Sequence, residues 1–242
     1  MDAIRTMALT KKYKTVTAVD ALDLTVRTGE LLALLGVNGA GKTTTVKLLT
    51  GLTAPTAGDA LLNGVSVRTD PARVKAMIAV SPQETAVAPG LTGRENLELM
   101  AGVHGLSRAE TARRIEEVAA QLTLHDCLAR KAGKLSGGWQ RRLSIAMALI
   151  SHPEILFLDE PTLGLDVLAR SELWEVVRAL KGRVTVVLTT HYMEEAEALA
   201  DRVAVMADGH LLLCDTPDGL RQRTGTDRLE QAFLRIVKGE CI

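Results

Sequence analysis

Short aliphatic runs punctuate this chain without polar alternation: Leu31–Leu35, Met77–Val80, Ile155–Leu158, Val184–Leu188 and Val203–Met206. Runs of that kind suit strands buried on both faces and predict a parallel sheet in an α/β protein. Residues 58–70 alternate instead, around Asn63-Gly64, and predict a hairpin. Asp208-Gly209, between Val203–Met206 and Leu211–Cys214, predicts another. Residues 3–28 read as short strands. From about 94 to 151 the period changes. Ile115, Val118, Ala119 and Leu122 recur at helical spacing, as do Leu143, Ala146, Met147 and Ile150. Leu173, Val176, Val177 and Leu180 predict one further core helix. A mostly helical block therefore interrupts a mixed α/β core.

The 242 residues can bury roughly 70–75% of their unfolded surface without help from a disulfide or a metal. Lys plus Arg and Asp plus Glu both total 29, and aromatic residues make up only 2%. That balance disfavours a nucleic-acid partner, which calls for basic excess and stacking rings. Cys127, Cys214 and Cys241 are far apart and form no CxxC pair, so they read as buried or incidental thiols in a reducing compartment. The histidines show no metal-ligand spacing. The opening MDAIRTMALTKKYK has no secretory pattern. No uninterrupted apolar stretch approaches the ~18–20 residues that span a bilayer. The expectation is a cytosolic chain whose role at any membrane comes through a partner.

Three segments carry chemistry. The strand-like ELLALL runs into Gly36-Val37-Asn38-Gly39-Ala40-Gly41-Lys42-Thr43, and Thr44 opens the helical stretch that follows. Glycines let a backbone wrap phosphates closely, and free N–H groups at a helix N-terminus favour negative charge. Lys42 supplies a point charge for the β and γ phosphates, and the Thr43 hydroxyl suits Mg²⁺. The apolar run Ile155–Leu158 ends in Asp159 and Glu160. Ligand sites lie at that end of strands in open α/β sheets. Asp159 is placed to hold Mg²⁺, and Glu160 to accept a proton from an attacking water. The plainer alternative is an acidic strand end capping the turn at Pro161. The third segment, GKLSGGWQRRL over Gly133–Leu143, sets two glycines before a helix and resembles a second anion site.

Together these motifs resemble the nucleotide-binding subunit of an ATP-binding cassette (ABC) transporter, over essentially the whole chain and in the family's order. The resemblance implies a P-loop NTPase core with a mostly parallel sheet, an N-terminal antiparallel β subdomain and an inserted α-helical subdomain. It implies core and β subdomain over 1–93 and 152–225, the helical subdomain over 94–151, and a helical tail over 226–242. Leu135-Ser136-Gly137-Gly138 resembles the signature motif, and Gln83 the Q-loop glutamine, which would join Thr43 and Asp159 at Mg²⁺. Leu163–Asp166 resembles the D-loop, His191 the switch histidine, and Tyr13 the aromatic that stacks on adenine. Singly, Tyr13 reads equally as an edge-strand aromatic, His191 as a strand-end histidine and Gln83 as a loop residue. Their joint order favours the family. The two phosphate sites then have one explanation: two cassettes pair head-to-tail, and Ser136 and Gly138 of one close over the ATP held by the other.

Trp139 stands where the family most often has Gln, with Gln140 next. Large apolar residues there are similar to an exporter-like group, though Trp139 also reads as packing between helical block and core. The resemblance further implies ATP and Mg²⁺ as ligands, a second cassette (most simply a second copy), and a separate membrane-spanning permease. That permease would dock along Glu84–Met100 on the inner face of the membrane. An exporter is the first expectation, an importer the second. A soluble, non-transport ABC ATPase is disfavoured by the neutral charge and by the lack of a second cassette or heptad run.

Overall fold

A computed structural model of the chain describes residues 1–240. Cys241 and the end of the expected tail lie outside the described residues. The first strands form an antiparallel sheet: β1 (Asp2–Tyr13), β2 (Val16–Leu22), β3 (Thr25–Arg27), then β5 (Ala57–Leu62) and β6 (Val65–Ser66), in the order β2-β1-β5-β6 with β3 also on β1. The second sheet comprises β4 (Leu31–Leu35), β7 (Ile78–Ser81), β8 (Ile155–Asp159), β9 (Thr185–Thr190), β10 (Arg202–Ala207) and β11 (His210–Asp215). Its order is β11-β10-β4-β9-β8-β7, parallel throughout except for β11. Between strands run α1 (Lys42–Leu49), α2 (Pro71–Met77), α3 (Gly93–Val103), α4 (Arg108–Gln121), α5 (Gly137–Leu149), α6 (Val167–Arg178) and α7 (Met193–Leu199). Helices α8 (Pro217–Thr224) and α9 (Leu229–Val237) close the described chain.

The aliphatic runs pack as their composition dictates. Successive side chains of a strand point to opposite faces, and the parallel sheet has a core on each. Leu31, Ala33 and Leu35 of β4 join Leu156, Leu158, Val186 and Leu188 in the core shared with α3–α7 and α9. Leu32 and Leu34 join Ile155, Phe157 and Val187 in the core shared with α1 and the antiparallel sheet. Ile115, Val118, Ala119, Leu122, Leu143, Ala146, Met147 and Ile150 are all buried, as the helical spacing requires.

Turn chemistry holds too. Asn63 and Gly64 both take positive φ, 45° and 80°, as do Asp208 and Gly209, 49° and 81°. A two-residue hairpin loop needs that geometry. The early region differs from the expectation of short strands. β1 is one strand of 12 residues. It breaks its side-chain alternation at Ala8 (φ 45°), and its pairing with β5 shifts register between Met7 and Thr10. A broken alternation reads as two pieces in sequence although the ladder carries on.

Candidate nucleotide site

The register of the parallel sheet places four strand ends side by side. Leu35 is opposite Thr190, Thr189 opposite Asp159, and Leu158 opposite Ser81. Gly36, His191, Glu160 and Gln83 therefore leave adjacent strands at one level, around a cavity of about 660 Å³. Tyr13, Asn38, Gly39, Gly41, Lys42, Thr43, Thr44, Gln83, Glu160 and His191 all line it.

The loop needs its glycines. A Cβ on Gly36 would stand 2.5 Å from the Met206 carbonyl oxygen and 2.8 Å from Ala40 Cβ. Gly41, just ahead of α1, has φ 101°, and a Cβ there would meet the Ala18 carbonyl at 2.6 Å. Lys42 is buried, and Nζ donates to the carbonyls of Gly36 at 2.7 Å and Val37 at 3.2 Å. Burial pushes the Lys42 pKa below its ordinary value, while Glu160 and Asp159 pull it back up. Nζ is 3.9 Å from Glu160 Oε1, which in turn is 3.3 Å from His191 Nδ1. The His191 nitrogen is buried without an aligned hydrogen bond, so the pair is a close approach.

Behind this group, Thr189 Oγ1 donates to Asp159 Oδ1 at 2.5 Å and accepts from the Glu160 N–H at 3.0 Å. Tyr192 lies against the His191 ring, centroids 4.1 Å apart, and the Arg170 guanidinium sits 4.5 Å from the Tyr192 ring. Tyr13 is 45% exposed at the cavity's edge, with Lys11 Nζ 5.0 Å from its ring, leaving a face available to a flat ligand.

Gly36 and Asp159 lie next to lining residues without lining the cavity themselves, and Ser136, Gly137, Gly138 and Asp166 do not line it either. Ser136 is the N-cap of α5, yet its hydroxyl makes no capping hydrogen bond, and Ser136 and Gly137 are exposed. Asp166, by contrast, caps α6 through the Ala169 N–H at 2.9 Å. Trp139 is half-buried against the helical core. Its ring carries the Arg142 guanidinium at 5.0 Å, and Arg142 pairs with Glu172 of α6.

The donor set fits Mg²⁺. Thr43 and Gln83 line the cavity and can offer a hydroxyl and an amide oxygen, and among the described residues no hydrogen bond engages Oδ2 of Asp159 at the end of β8. Among those residues no three His, Cys, Asp or Glu side chains converge on a metal. A Mg²⁺ held partly by phosphate and water needs only one or two such carboxylates.

Two participants escaped the sequence reading. Thr189 is one of several similar residues in TVVLTT and carries no signal of its own. Arg141 is buried on α5 with its guanidinium among backbone carbonyls beside Glu160. A hint existed: charged residues sit on a helix that is otherwise apolar on nearly every side.

Comparison with known proteins points to one family. A family model described as ABC transporter matches residues 19–163. The chain is 45% identical over 229 residues to the daunorubicin resistance ATP-binding protein DrrA2 of Streptomyces coeruleorubidus, covering 94% of this chain and 71% of that protein. It is 42% identical to the daunorubicin/doxorubicin resistance ATP-binding protein DrrA of Streptomyces peucetius, covering 94% and 69%. Among solved structures, the ATP-binding subunit of an ABC transporter superposes with a TM-score of 0.84 at 29% identity, over 97% of this chain and 99% of that one. A dimeric ATP-binding cassette in a post-hydrolysis state with ADP and Pi gives 0.77 at 26% identity, over 88% and 98%.

Proposed function

The chain belongs to the ABC transporter family and is one of its ATP-binding ATPases, and on that premise we propose that it is the motor subunit of a drug exporter. The observation that carries the catalytic part is the convergence of Lys42, Glu160 and His191 on one cavity from three neighbouring strand ends. The export part rests on the relatives named for daunorubicin and doxorubicin resistance. The permease would be a second chain at the inner face of the cell membrane. Among the described residues no helix is long and apolar enough to cross a membrane.

In this reading Tyr13 stacks on adenine. The N–H groups of Asn38–Thr44 and the Lys42 ammonium cradle the phosphates of the substrate ATP. Thr43, Asp159 and Gln83 would hold Mg²⁺, which when bound offsets charge on the phosphate oxygens. Glu160 accepts the proton of the attacking water, and His191 donates to the γ-phosphate. Ser136 and Gly138 lie outside the lining of their own chain's cavity, which supports their closing over the ATP of a second cassette. Asp166 lies at the same junction. ATP drives closure because it binds the closed pair better than the open one.

The docking surface for the permease is proposed along Glu84–Met100. Leu99 there is 50% exposed. Affinity capture of the tagged chain from detergent-solubilised membranes tests the transporter assignment. A multi-span protein recovered in stoichiometric amount supports it. Recovery with ribosomes, with nucleic acid or alone overturns it and leaves the ATPase untouched.

A further inference from the structure

Arg141 is the fifth residue of α5, the helix that Ser136 begins, and it is 3% exposed. Its guanidinium leaves the helix toward the chain's own nucleotide cavity and ends among main-chain oxygens. Nε donates to the Pro161 carbonyl at 2.6 Å, and Nη1 to the Pro82 carbonyl at 2.5 Å. Nη2 reaches the carbonyls of Glu160 at 2.7 Å and Asp159 at 3.3 Å. These oxygens belong to two segments distant in sequence, the end of β8 and the residue before Gln83.

Glu160 is the strained member of the group. Its φ is 45°, a left-handed value that a residue with a Cβ rarely takes. Such a conformation persists only where the surroundings over-determine it. Here the N–H is held by Thr189, through both its hydroxyl and its carbonyl, at 3.0 and 3.1 Å. The carbonyl accepts from Arg141 Nη2 at 2.7 Å and, less closely, from the Leu163 N–H of the following turn at 3.2 Å. The rotation that aims the Glu160 carboxylate at the cavity is thus held at the N–H by the sheet, and at the carbonyl by the following turn together with the signature helix. A planar guanidinium with donors in a fixed fork suits that task, and a lysine does not.

We propose that Arg141 is a positioning residue that ties the signature helix to the chain's own Glu160 and Gln83. Movement of α5, when Ser136 and Gly138 engage a nucleotide on another cassette, is passed through one rigid side chain to the carboxylate and the glutamine of this one. The two sites of a pair would then be aligned together. The inference rests on the roles proposed above for Glu160 and the signature residues.

The test uses the full chain with Arg141→Lys, which keeps a charge but cannot span the carbonyls, and with Arg141→Gln. ATP affinity, kcat and melting temperature are measured for each, with Glu160→Gln alongside. Arg141's hydrogen bonds go to Pro82, Asp159, Glu160 and Pro161 and none to the Gly36–Thr44 loop, so the ATP Kd should stay within about threefold while kcat falls between about tenfold and a hundredfold, the scale of a small misplacement of a reacting group. Wild-type kcat in Arg141→Lys overturns the proposal. So does a parallel fall of kcat, affinity and melting temperature, which would make Arg141 a structural brace only. Rapid turnover by Glu160→Gln would instead remove the reading on which the proposal stands.

Discussion

Glu160 Oε1 stands 3.3 Å from Nδ1 of His191, across the ends of the paired strands β8 and β9. The same oxygen is 3.9 Å from Lys42 Nζ. One carboxylate oxygen therefore faces both the residue proposed to hold the γ-phosphate and the cation proposed to balance its charge. Glu160→Gln keeps shape and hydrogen-bonding capacity but cannot take up a proton. It should bind ATP, pair in its presence and hydrolyse about 10²–10⁴-fold more slowly, the usual share of a general base. Phosphate release, with size-exclusion chromatography in ATP, measures both properties; turnover at the wild-type rate would refute the base assignment.

Gly36→Ala should damage binding through packing alone. The added methyl would press on the Met206 carbonyl and the Ala40 side chain. Backbone on one side cannot rotate away, so about 1–3 kcal/mol of stability should go. ATP affinity should fall with it, because the same turn aims the loop. Urea denaturation and nucleotide titration of the one variant show whether the losses travel together.

Trp139→Gln restores the family's usual residue and should be mild. The ring packs on the helical core and under Arg142, with no part in the cavity. Loss of the cation–π contact should cost about 0.5–1 kcal/mol. Ser136 and Gly138 stay in place, so kcat should remain near wild type. A steep loss of ATP-dependent pairing would assign Trp139 to the nucleotide instead.

Glu195 gives a pH-dependent prediction. It is fully buried on α7, with Trp174 Nε1 donating to Oε1 at 3.3 Å and no partner on Oε2. Burial raises its pKa above the ordinary 4.5, against the opposing pull of the Trp174 N–H and the Arg170 guanidinium. A raised folded-state pKa favours the protonated form, so its contribution is complete below about 4.5 and is lost as pH rises through the folded value. Glu195→Gln is neutral at every pH. Its melting temperature should exceed wild type at pH 8 by more than at pH 5, and an unchanged gap would show that the carboxyl is ionised at no cost.

Much of this was legible in the chain because it rests on local chemistry. The aliphatic runs fell within a residue or two of β4, β7, β8, β9 and β10, since a strand buried on both faces favours aliphatic side chains and admits polar ones mainly at its ends. Both hairpins announced themselves through Asn63-Gly64 and Asp208-Gly209. The phosphate loop was visible in its glycines. What stayed hidden depends on side chains meeting across the fold. Thr189 matters only because the sheet register sets it beside Asp159. Arg141 matters because α5 aims it at carbonyls up to 59 residues away in sequence. The break in β1 at Ala8 lies within the register shift of its pairing with β5, which one strand's sequence does not record.

The Ser136 hydroxyl, capping nothing in its own chain, leaves the start of α5 unfinished. In the proposed pair, that end is completed by the substrate of another molecule. The arrangement behaves as a two-key lock: a solitary cassette holds fuel it cannot spend, however saturated. Dilution alone should then silence the enzyme, with activity per molecule climbing as copies are crowded together. A permease that binds two of them would act first as a matchmaker, setting their local concentration before any cargo arrives.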